Sequence, residues 1–196
     1  MRIHVLVVAA LVLLTAQSPP TAEDLGVPGK DGLVVCTSST ACDAGASVLA
    51  RGGNAEDAAV ATAFALAVTH PSAGNIGGGG FMIVRTPAGK VTTFDYRERA
   101  PLRSTRTMYL GNDGQIVREL TNTGYLAAGV PGTVRGLELA HQRLGKLPWK
   151  DVVMPAVRLA EEGFTLPPSL ARDLNAQVAG AMKPFPASVA AYSKPG

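Results

Sequence analysis

The feature that most constrains the fold is an almost wholly apolar segment at residues 58–68, in which Thr62 is the only polar side chain. An apolar segment with no polar face predicts a helix that is buried on all sides. Asn54 precedes it as an N-cap residue, and Asp57 stands at the position of a capping box. The helix should end at His70-Pro71, because the residue before a proline avoids helical backbone angles.

A run of four glycines, residues 77–80, follows this helix. Glycine runs permit close backbone approach, and here they indicate close packing between the helix and the next strand. Residues 81–85 and 91–96 are predicted strands, joined by a turn at residues 87–89. The second strand ends in the charged sequence DYRER, a place where a rigid scaffold can present groups to a ligand.

Arg97 is the candidate binding residue in this charged sequence, with Asp95 and Glu98 beside it. A guanidinium group can hold a carboxylate through two parallel hydrogen bonds. The same side chains could equally form an ion-pair cluster on the protein surface. The residue types alone leave both interpretations open.

Composition excludes several classes of function. The chain has 196 residues with 18 basic and 15 acidic side chains, a net charge of +3, and no run of like charges. We therefore predict one domain with a sizeable core and no nucleic-acid partner. No group of residues has the spacing of metal ligands, and the glycine run lacks the Lys-Ser/Thr ending of a phosphate loop. No metal and no cofactor is predicted.

Residues 1–22 predict a signal peptide. Arg2 supplies a positive start, residues 5–14 are an unbroken apolar run, and small residues follow it as far as Ala22. Such a run is too short to cross a bilayer core of about 30 Å, so no stable membrane span is expected. An uncleaved anchor or a buried strand is the alternative. The remaining residues, 23–196, should be exported to the periplasm or secreted.

The chain has two cysteines, Cys36 and Cys42. Cys36 lies in a predicted strand at residues 33–37, and Cys42 opens a predicted helix at residues 41–51. In an oxidising compartment an even count permits a disulfide, although the short loop between these residues could forbid one. The alternative is a pair of small buried thiols. Neither cysteine has the sequence context of a nucleophile.

The segment at residues 100–128 is rich in turn signals and is predicted to be irregular. A helix at residues 134–144 follows, ended by Gly145. His141 falls on this helix, and His70 lies at the end of the apolar helix. We predict a structural role for both histidines.

Pro148 predicts a further helix by its place at the first helical position. Pro155 should either break this helix or begin a second short one. Another helix is expected at residues 169–178. After Gly180 the hydrophobic periodicity is lost, and the chain is expected to be interrupted without a closing element.

Three segments of this chain, in this order, resemble the large subunit of gamma-glutamyltransferases, also called glutathione hydrolases: NAEDAAVATAFALAV, NIGGGGFMIV and FDYRERAP. The resemblance continues through AAGVPGTVRGLELAHQRLGKLPWKDVVMPAVRLAEEGF and covers the chain from Gly29 onward. It implies an α+β fold of the N-terminal-nucleophile hydrolase type, an αββα sandwich. Residues 23–196 would form the incomplete, N-terminal portion of that domain.

The resemblance also implies a substrate. In this family the arginine of a D-[FY]-R-E motif binds the α-carboxylate of a γ-glutamyl group, as in glutathione. The motif stands here as residues 95–98, so Arg97 would bind the substrate and Asp95 and Glu98 would support it.

The catalytic machinery of the family belongs to a small subunit that self-cleavage of the same precursor releases. A threonine at its new N-terminus attacks the γ-glutamyl amide, its free amine is the general base, and a glycine-rich loop stabilises the oxyanion. These elements would lie beyond Gly196, so we predict no catalytic residue in this chain and no activity for it alone. The small subunit is the implied protein partner.

Two other functions remain open. A relative with the same fold could hydrolyse another acyl amide, as a cephalosporin acylase does, although the arginine motif disfavours this. Alternatively, the chain could be a truncated remnant that keeps the fold without the chemistry.

Overall fold

The computed structural model of the protein describes residues 29–193, so the predicted signal peptide at residues 1–22 lies outside the described residues. Residues 34–193 belong to one unit, and the few described residues before them carry no helix or strand. A 3-10 turn spans Tyr125–Ala127. The helices and strands are α1 (Ser39–Ala50), α2 (Ala55–Thr69), β1 (Phe81–Arg85), β2 (Val91–Asp95), α3 (Arg118–Asn122), α4 (Thr133–Leu144), α5 (Trp149–Glu162), α6 (Pro168–Ala179) and α7 (Pro186–Tyr192).

Helix α2 begins and ends as the sequence predicts. The Asp57 backbone N–H donates to Asn54 Oδ1 at 3.0 Å, and the Asn54 backbone N–H donates to Asp57 Oδ2 at 3.0 Å, which completes the capping box. His70 is the C-cap residue. The helix is buried along most of its surface, but Ala55 and Ala59 are exposed, so the prediction of burial on all sides is too strong.

The hydrophobic core lies around α2. Helix α1 crosses it closely at Gly45, where an added Cβ would lie 2.1 Å from Thr62 Oγ1. The Thr62 hydroxyl donates to the Ala58 carbonyl at 2.8 Å, so this buried polar group stays hydrogen-bonded. Helices α4 and α5 pack on the other sides of α2. The buried core residues are Ala41, Ala44, Val48, Val60, Ala61, Phe64, Ala65, Leu137, Val152 and Ala156.

The Asp57 carboxylate fastens the loop between α4 and α5 to the start of α2. The side chain is fully buried and accepts hydrogen bonds from the backbone N–H groups of Lys146 at 3.0 Å and Leu147 at 3.1 Å. His141 Nε2 lies 3.5 Å from Asp57 Oδ1 and 2.9 Å from the Leu147 carbonyl oxygen. The His141 ring also meets Trp149 edge-on. These contacts agree with a structural role for this histidine.

Helix α5 runs through Pro155 without a break, so the prediction that this proline breaks or starts a helix is wrong. A proline inside a helix leaves the carbonyl four residues earlier, here that of Asp151, without its helical N–H donor. Arg51 Nη2 donates to that carbonyl at 3.1 Å. The end of α1 therefore satisfies the group that Pro155 leaves free. Pro148 is the N-cap residue of α5 and not its first helical residue, so the helix begins one residue later than predicted.

Strands β1 and β2 form an antiparallel hairpin that pairs Phe81 with Asp95 and Arg85 with Val91. Because strand residues alternate between faces, Met82 and Phe94 share the face that packs on the helices. The opposite face carries Phe81, Ile83 and Val91, which are 59%, 72% and 57% exposed. This hairpin is the one sheet found within residues 29–193.

Two further predictions are wrong. Residues 33–37 form no strand, because no other segment between residues 29 and 193 pairs with them, and Val35 is 81% exposed. The loss of periodicity after Gly180 predicted no further element, but residues 186–192 form helix α7. The other predicted helices have their ends within two residues of the observed ones. Cys36 and Cys42 are joined in a disulfide, one of the two alternatives that the sequence left open.

Candidate functional site

The motif Asp95-Tyr96-Arg97-Glu98 begins at the last residue of β2 and continues beyond the strand. Asp95 Oδ1 accepts a hydrogen bond from the Arg97 backbone N–H at 3.1 Å, which forms a local Asx-turn. On one side the Tyr96 N–H donates to the Gly80 carbonyl at 3.0 Å. The motif is thus an ordered continuation of the hairpin.

A second backbone connection follows the motif. The Arg99 N–H donates to the Val130 carbonyl at 3.2 Å, and the Val130 N–H donates back to Arg99 at 2.8 Å. Gly132, two residues after Val130, is the N-cap residue of α4. The motif is therefore held between the glycine run that precedes β1 and the segment that leads into α4.

The Arg97 side chain projects outward from this turn and is 66% exposed. Its Nε lies 3.8 Å from Glu98 Oε2, and its guanidinium carbon lies 6.0 Å from the centre of the Phe81 ring. Among the described residues no carboxylate forms a two-pronged pair with this guanidinium. The paired N–H groups of the fork are open to a planar anion such as a carboxylate.

The three site residues predicted from the sequence come together in the structure. Asp95 lies against the backbone of Arg97, and Glu98 lies against its side chain. This arrangement can position a guanidinium and bind an anion, but it contains no nucleophile. The role of Arg97 in substrate binding, with Asp95 and Glu98 in support, stays a prediction.

Tyr96 is a site residue that the sequence reasoning did not single out. Its ring lies against Gly136 of α4, and its hydroxyl donates to the Phe81 carbonyl at 3.4 Å. Burial raises the pKa of the Tyr96 hydroxyl above its ordinary value. The signal in the sequence was the pair Gly132 and Gly136, which are four residues apart and so share one face of α4.

Two cavities formed by described residues lie away from the motif. One of about 270 Å³ is lined by Ser38, His70 and Asp173, among others, and one of about 500 Å³ lies between Pro71 and Tyr192. Neither includes Arg97, which stands on open surface. Residues 29–193 contain no cluster of three or more metal-ligating side chains. Within the same range, no helix is long and apolar enough to cross a membrane.

Comparison with known proteins gives consistent matches. The family model of gamma-glutamyltranspeptidase matches residues 41–196. The glutathione hydrolase proenzyme of Escherichia coli is 48% identical over 149 residues, which cover 76% of this chain and 26% of the relative. This chain therefore spans about a quarter of the length of the curated relatives that it matches.

Solved structures give the same answer for the fold. The Helicobacter pylori gamma-glutamyltranspeptidase is similar with a TM-score of 0.78 and 42% identity, over 83% of this chain and 46% of that one. A cephalosporin acylase from Bacillus halodurans is similar with a TM-score of 0.66 and 29% identity, over 86% of this chain and 31% of that one.

These matches confirm the fold class that the resemblance implied, α+β of the N-terminal-nucleophile hydrolase type. They also confirm the family that the three segments and their order indicated. The matched residues include the apolar helix, the hairpin, the motif and helices α4 to α7. By both sequence and structure, this chain belongs to the gamma-glutamyltranspeptidase family.

Proposed function

We propose that this chain supplies the substrate-recognition part of an exported gamma-glutamyltransferase, or glutathione hydrolase. In this function Arg97 binds the α-carboxylate of a γ-glutamyl compound such as glutathione. The observation that carries the proposal is the exposed guanidinium of Arg97, presented by a motif that is ordered on both sides.

The surroundings of Arg97 favour recognition over a purely structural ion pair. Glu98 approaches the guanidinium at its Nε edge, at 3.8 Å, and within residues 29–193 no hydrogen bond engages the two terminal nitrogens, which could therefore take a ligand. The Phe81 ring provides an apolar surface beside the cation. Asp95 holds the backbone of the turn, and we assign it a supporting role, as we do Glu98.

The chemistry of the reaction requires a partner. An arginine can hold a carboxylate but cannot attack an amide, so the nucleophile must come from elsewhere. We assign it to a threonine of the small subunit of the same precursor, encoded beyond Gly196. Its hydroxyl would attack the γ-carbonyl to form an ester, and its α-amine would take the hydroxyl proton and pass it to the nitrogen as the C–N bond breaks and the amine product leaves. Water or an acceptor amine would then release the γ-glutamyl group.

Export is part of the proposal. Residues 1–22 would be removed as a signal peptide, and residues 23–196 would form the mature segment of the large subunit in the periplasm or outside the cell. The disulfide between Cys36 and Cys42 supports this placement, because disulfides persist in oxidising compartments. N-terminal sequencing of secreted protein would test it, and intact Met1 on cytosolic protein would contradict it.

An acylase of the cephalosporin type is the second candidate, because one solved acylase shares the fold. The two candidates differ in what Arg97 would contact. A γ-glutamyl donor presents an α-carboxylate to it, whereas other acyl groups need not. Substrate pairs that differ only in this carboxylate therefore separate the two functions.

The test uses a chimaeric precursor in which this chain replaces the matched segment of the Escherichia coli proenzyme. Its substrates are the chromogenic anilides of γ-glutamate and of 4-aminobutyrate, which lacks only the α-carboxylate. We expect strong preference for the γ-glutamyl anilide, and Arg97→Ala should reduce that preference roughly ten- to a hundredfold, since a charge-assisted contact is worth about 1.5–3 kcal/mol.

The chain alone is the matched negative control and should turn over neither anilide. Equal turnover of both anilides by the chimaera would contradict carboxylate recognition and favour the acylase. Turnover by the chain alone, above an Arg97→Ala control, would contradict the assignment of the nucleophile to the small subunit.

A further inference from the structure

We infer that Gly79 is a positioning residue for Arg97. Because Gly79 has no Cβ, the glycine run can touch the backbone of the motif, and this contact sets where the guanidinium projects. The inference rests on the proposed role of Arg97 in carboxylate binding.

The four glycines of the run are not equivalent. A Cβ on Gly77 would meet no atom within 4 Å, whereas a Cβ on Gly79 would lie 2.7 Å from the Tyr96 carbonyl oxygen. The same Cβ would lie 2.8 Å from both Arg97 Cα and the Glu98 nitrogen. All three distances are shorter than real Cβ contacts, so a methyl group at Gly79 must displace the motif.

Gly132 and Gly136 also lie close to the motif. A Cβ on Gly132 would lie 2.1 Å from the Tyr96 carbonyl oxygen and 3.2 Å from that of Arg97. A Cβ on Gly136 would lie 2.2 Å from Tyr96 Cγ. The motif is therefore in tight contact with both the glycine run and α4.

Hydrogen bonds prevent the glycine run from moving away. The Gly78 N–H donates to Asn75 Oδ1 at 2.8 Å, and the Thr133 hydroxyl donates to the same oxygen at 2.6 Å. The Gly78 carbonyl accepts from the N–H groups of Gly132 at 2.8 Å and Thr133 at 3.1 Å. The run is thus tied to the start of α4, and strain from a larger residue at position 79 would fall on the motif.

The run also offers a matched control. Neither Gly77 nor Gly79 has a positive φ, so alanine is conformationally allowed at both positions. The two substitutions add the same methyl group two residues apart in the same run. Only the substitution at Gly79 meets the backbone of Arg97.

The first measurement uses this chain itself, isotopically labelled for amide NMR. We expect Gly79→Ala to shift the amide signals of Tyr96, Arg97 and Glu98, and Gly77→Ala to leave them in place. Unchanged signals in Gly79→Ala would overturn the contact. Equal shifts in both variants would overturn it too, since they would show a general effect of substitution in the run.

The second measurement uses the chimaeric precursor and the ratio of kcat/KM for the γ-glutamyl anilide to that for the 4-aminobutyryl anilide. A displaced guanidinium loses only the carboxylate contact, so Gly79→Ala should lower this ratio roughly tenfold or more, as misplaced binding groups do. Gly77→Ala should leave the ratio unchanged. General destabilisation would lower both rates and not their ratio, so it cannot imitate this result.

Failure of the inference differs from failure of the proposed function. If Arg97→Ala lowers the ratio and Gly79→Ala does not, the positioning role of Gly79 is wrong and the carboxylate site stands. If Arg97→Ala leaves the ratio unchanged, the proposed function is wrong, and the positioning inference that rests on it falls as well. The amide signals then still report whether Gly79 contacts the motif.

Discussion

Asp57 and Asp95 are both aspartates that accept hydrogen bonds from backbone N–H groups, yet their surroundings are opposite. Asp57 is fully buried and accepts from Asn54, Lys146 and Leu147. Asp95 is exposed, and among residues 29–193 it accepts from Arg97 alone. The buried carboxylate joins segments that are distant in sequence, whereas the exposed one shapes a local turn. The first arrangement stabilises the fold, and the second leaves a charged site open to a ligand.

The apolar side chains show the same division. Leu137 and Val48 are at most 1% exposed in the core around α2, whereas Ile83 and Phe81 are more than half exposed on the outer face of the hairpin. An exposed apolar strand face invites association or aggregation. Stability is thus concentrated around α2, while the hairpin carries the candidate site and a surface suited to contact.

The largest expected effect comes from removing the buried carboxylate of this comparison. Asp57→Ala removes the buried acceptor of three backbone N–H groups and should lower the free energy of unfolding by about 2–4 kcal/mol, because donors left without a partner away from water cost about 1–3 kcal/mol each. Urea unfolding of the chain measures this loss. Asp95→Ala is the matched control and should cost less than about 1 kcal/mol, because the residue is exposed. Similar losses for both variants would refute the division.

The second prediction tests the exposed candidate site. In the chimaeric precursor, Arg97→Lys should raise KM for the γ-glutamyl anilide about ten- to a hundredfold, because lysine cannot reproduce the paired contacts of the guanidinium fork. The unfolding midpoint should stay close to that of the parent, since this side chain is 66% exposed. Steady-state kinetics and thermal unfolding check the two halves. An unchanged KM would remove Arg97 from the site.

The smallest expected effect is a pH dependence of folding stability that comes from Tyr96. This residue packs on α4 where the core and the candidate site meet. Burial raises the pKa of the Tyr96 hydroxyl in the folded chain above the ordinary value of 10.0. The unfolded chain therefore loses this proton first as the pH rises through about 10, and folding stability falls as ionisation proceeds toward the folded pKa. Below that pH the contribution is intact.

Urea unfolding at a series of alkaline pH values measures this effect. Tyr96→Phe, which keeps the ring and removes the ionisable group, should lose less stability above pH 10 than the parent chain. The difference in stability between the two proteins at each pH is the informative quantity. If the free energies of unfolding of the parent and of Tyr96→Phe changed in parallel with pH, the Tyr96 pKa would be the same in the folded and unfolded chain, and the prediction would be wrong.

Local signals in the sequence were enough for most elements. Both ends of α2 were predicted correctly, the start from the capping box of Asn54 and Asp57 and the end from His70-Pro71. Caps and prolines act within one helical turn, so their effect can be read from neighbouring residues. The hairpin and the end of α4 at Gly145 also follow from local turn chemistry. The motif around Arg97 was identifiable for the same reason, since its four residues are consecutive.

Errors arose where distant groups decide the outcome. Whether Pro155 breaks α5 depends on whether another group satisfies the Asp151 carbonyl, and Arg51 does so across 100 positions. Residues 33–37 have the composition of a strand, but a strand exists only with a partner, and none pairs with it between residues 29 and 193. Neither partner can be read from the segment itself.

The sequence by itself determined the family, the boundaries of α2, the hairpin and the residues of the candidate site. Caps, turns and short motifs act through neighbouring atoms, so their information is local. Only the tertiary structure decided that Asp57 binds Lys146 and Leu147, and that Gly79 and Gly132 both lie against the backbone of Tyr96 and Arg97. These contacts join residues far apart in the chain, and close packing in three dimensions alone brings them within reach.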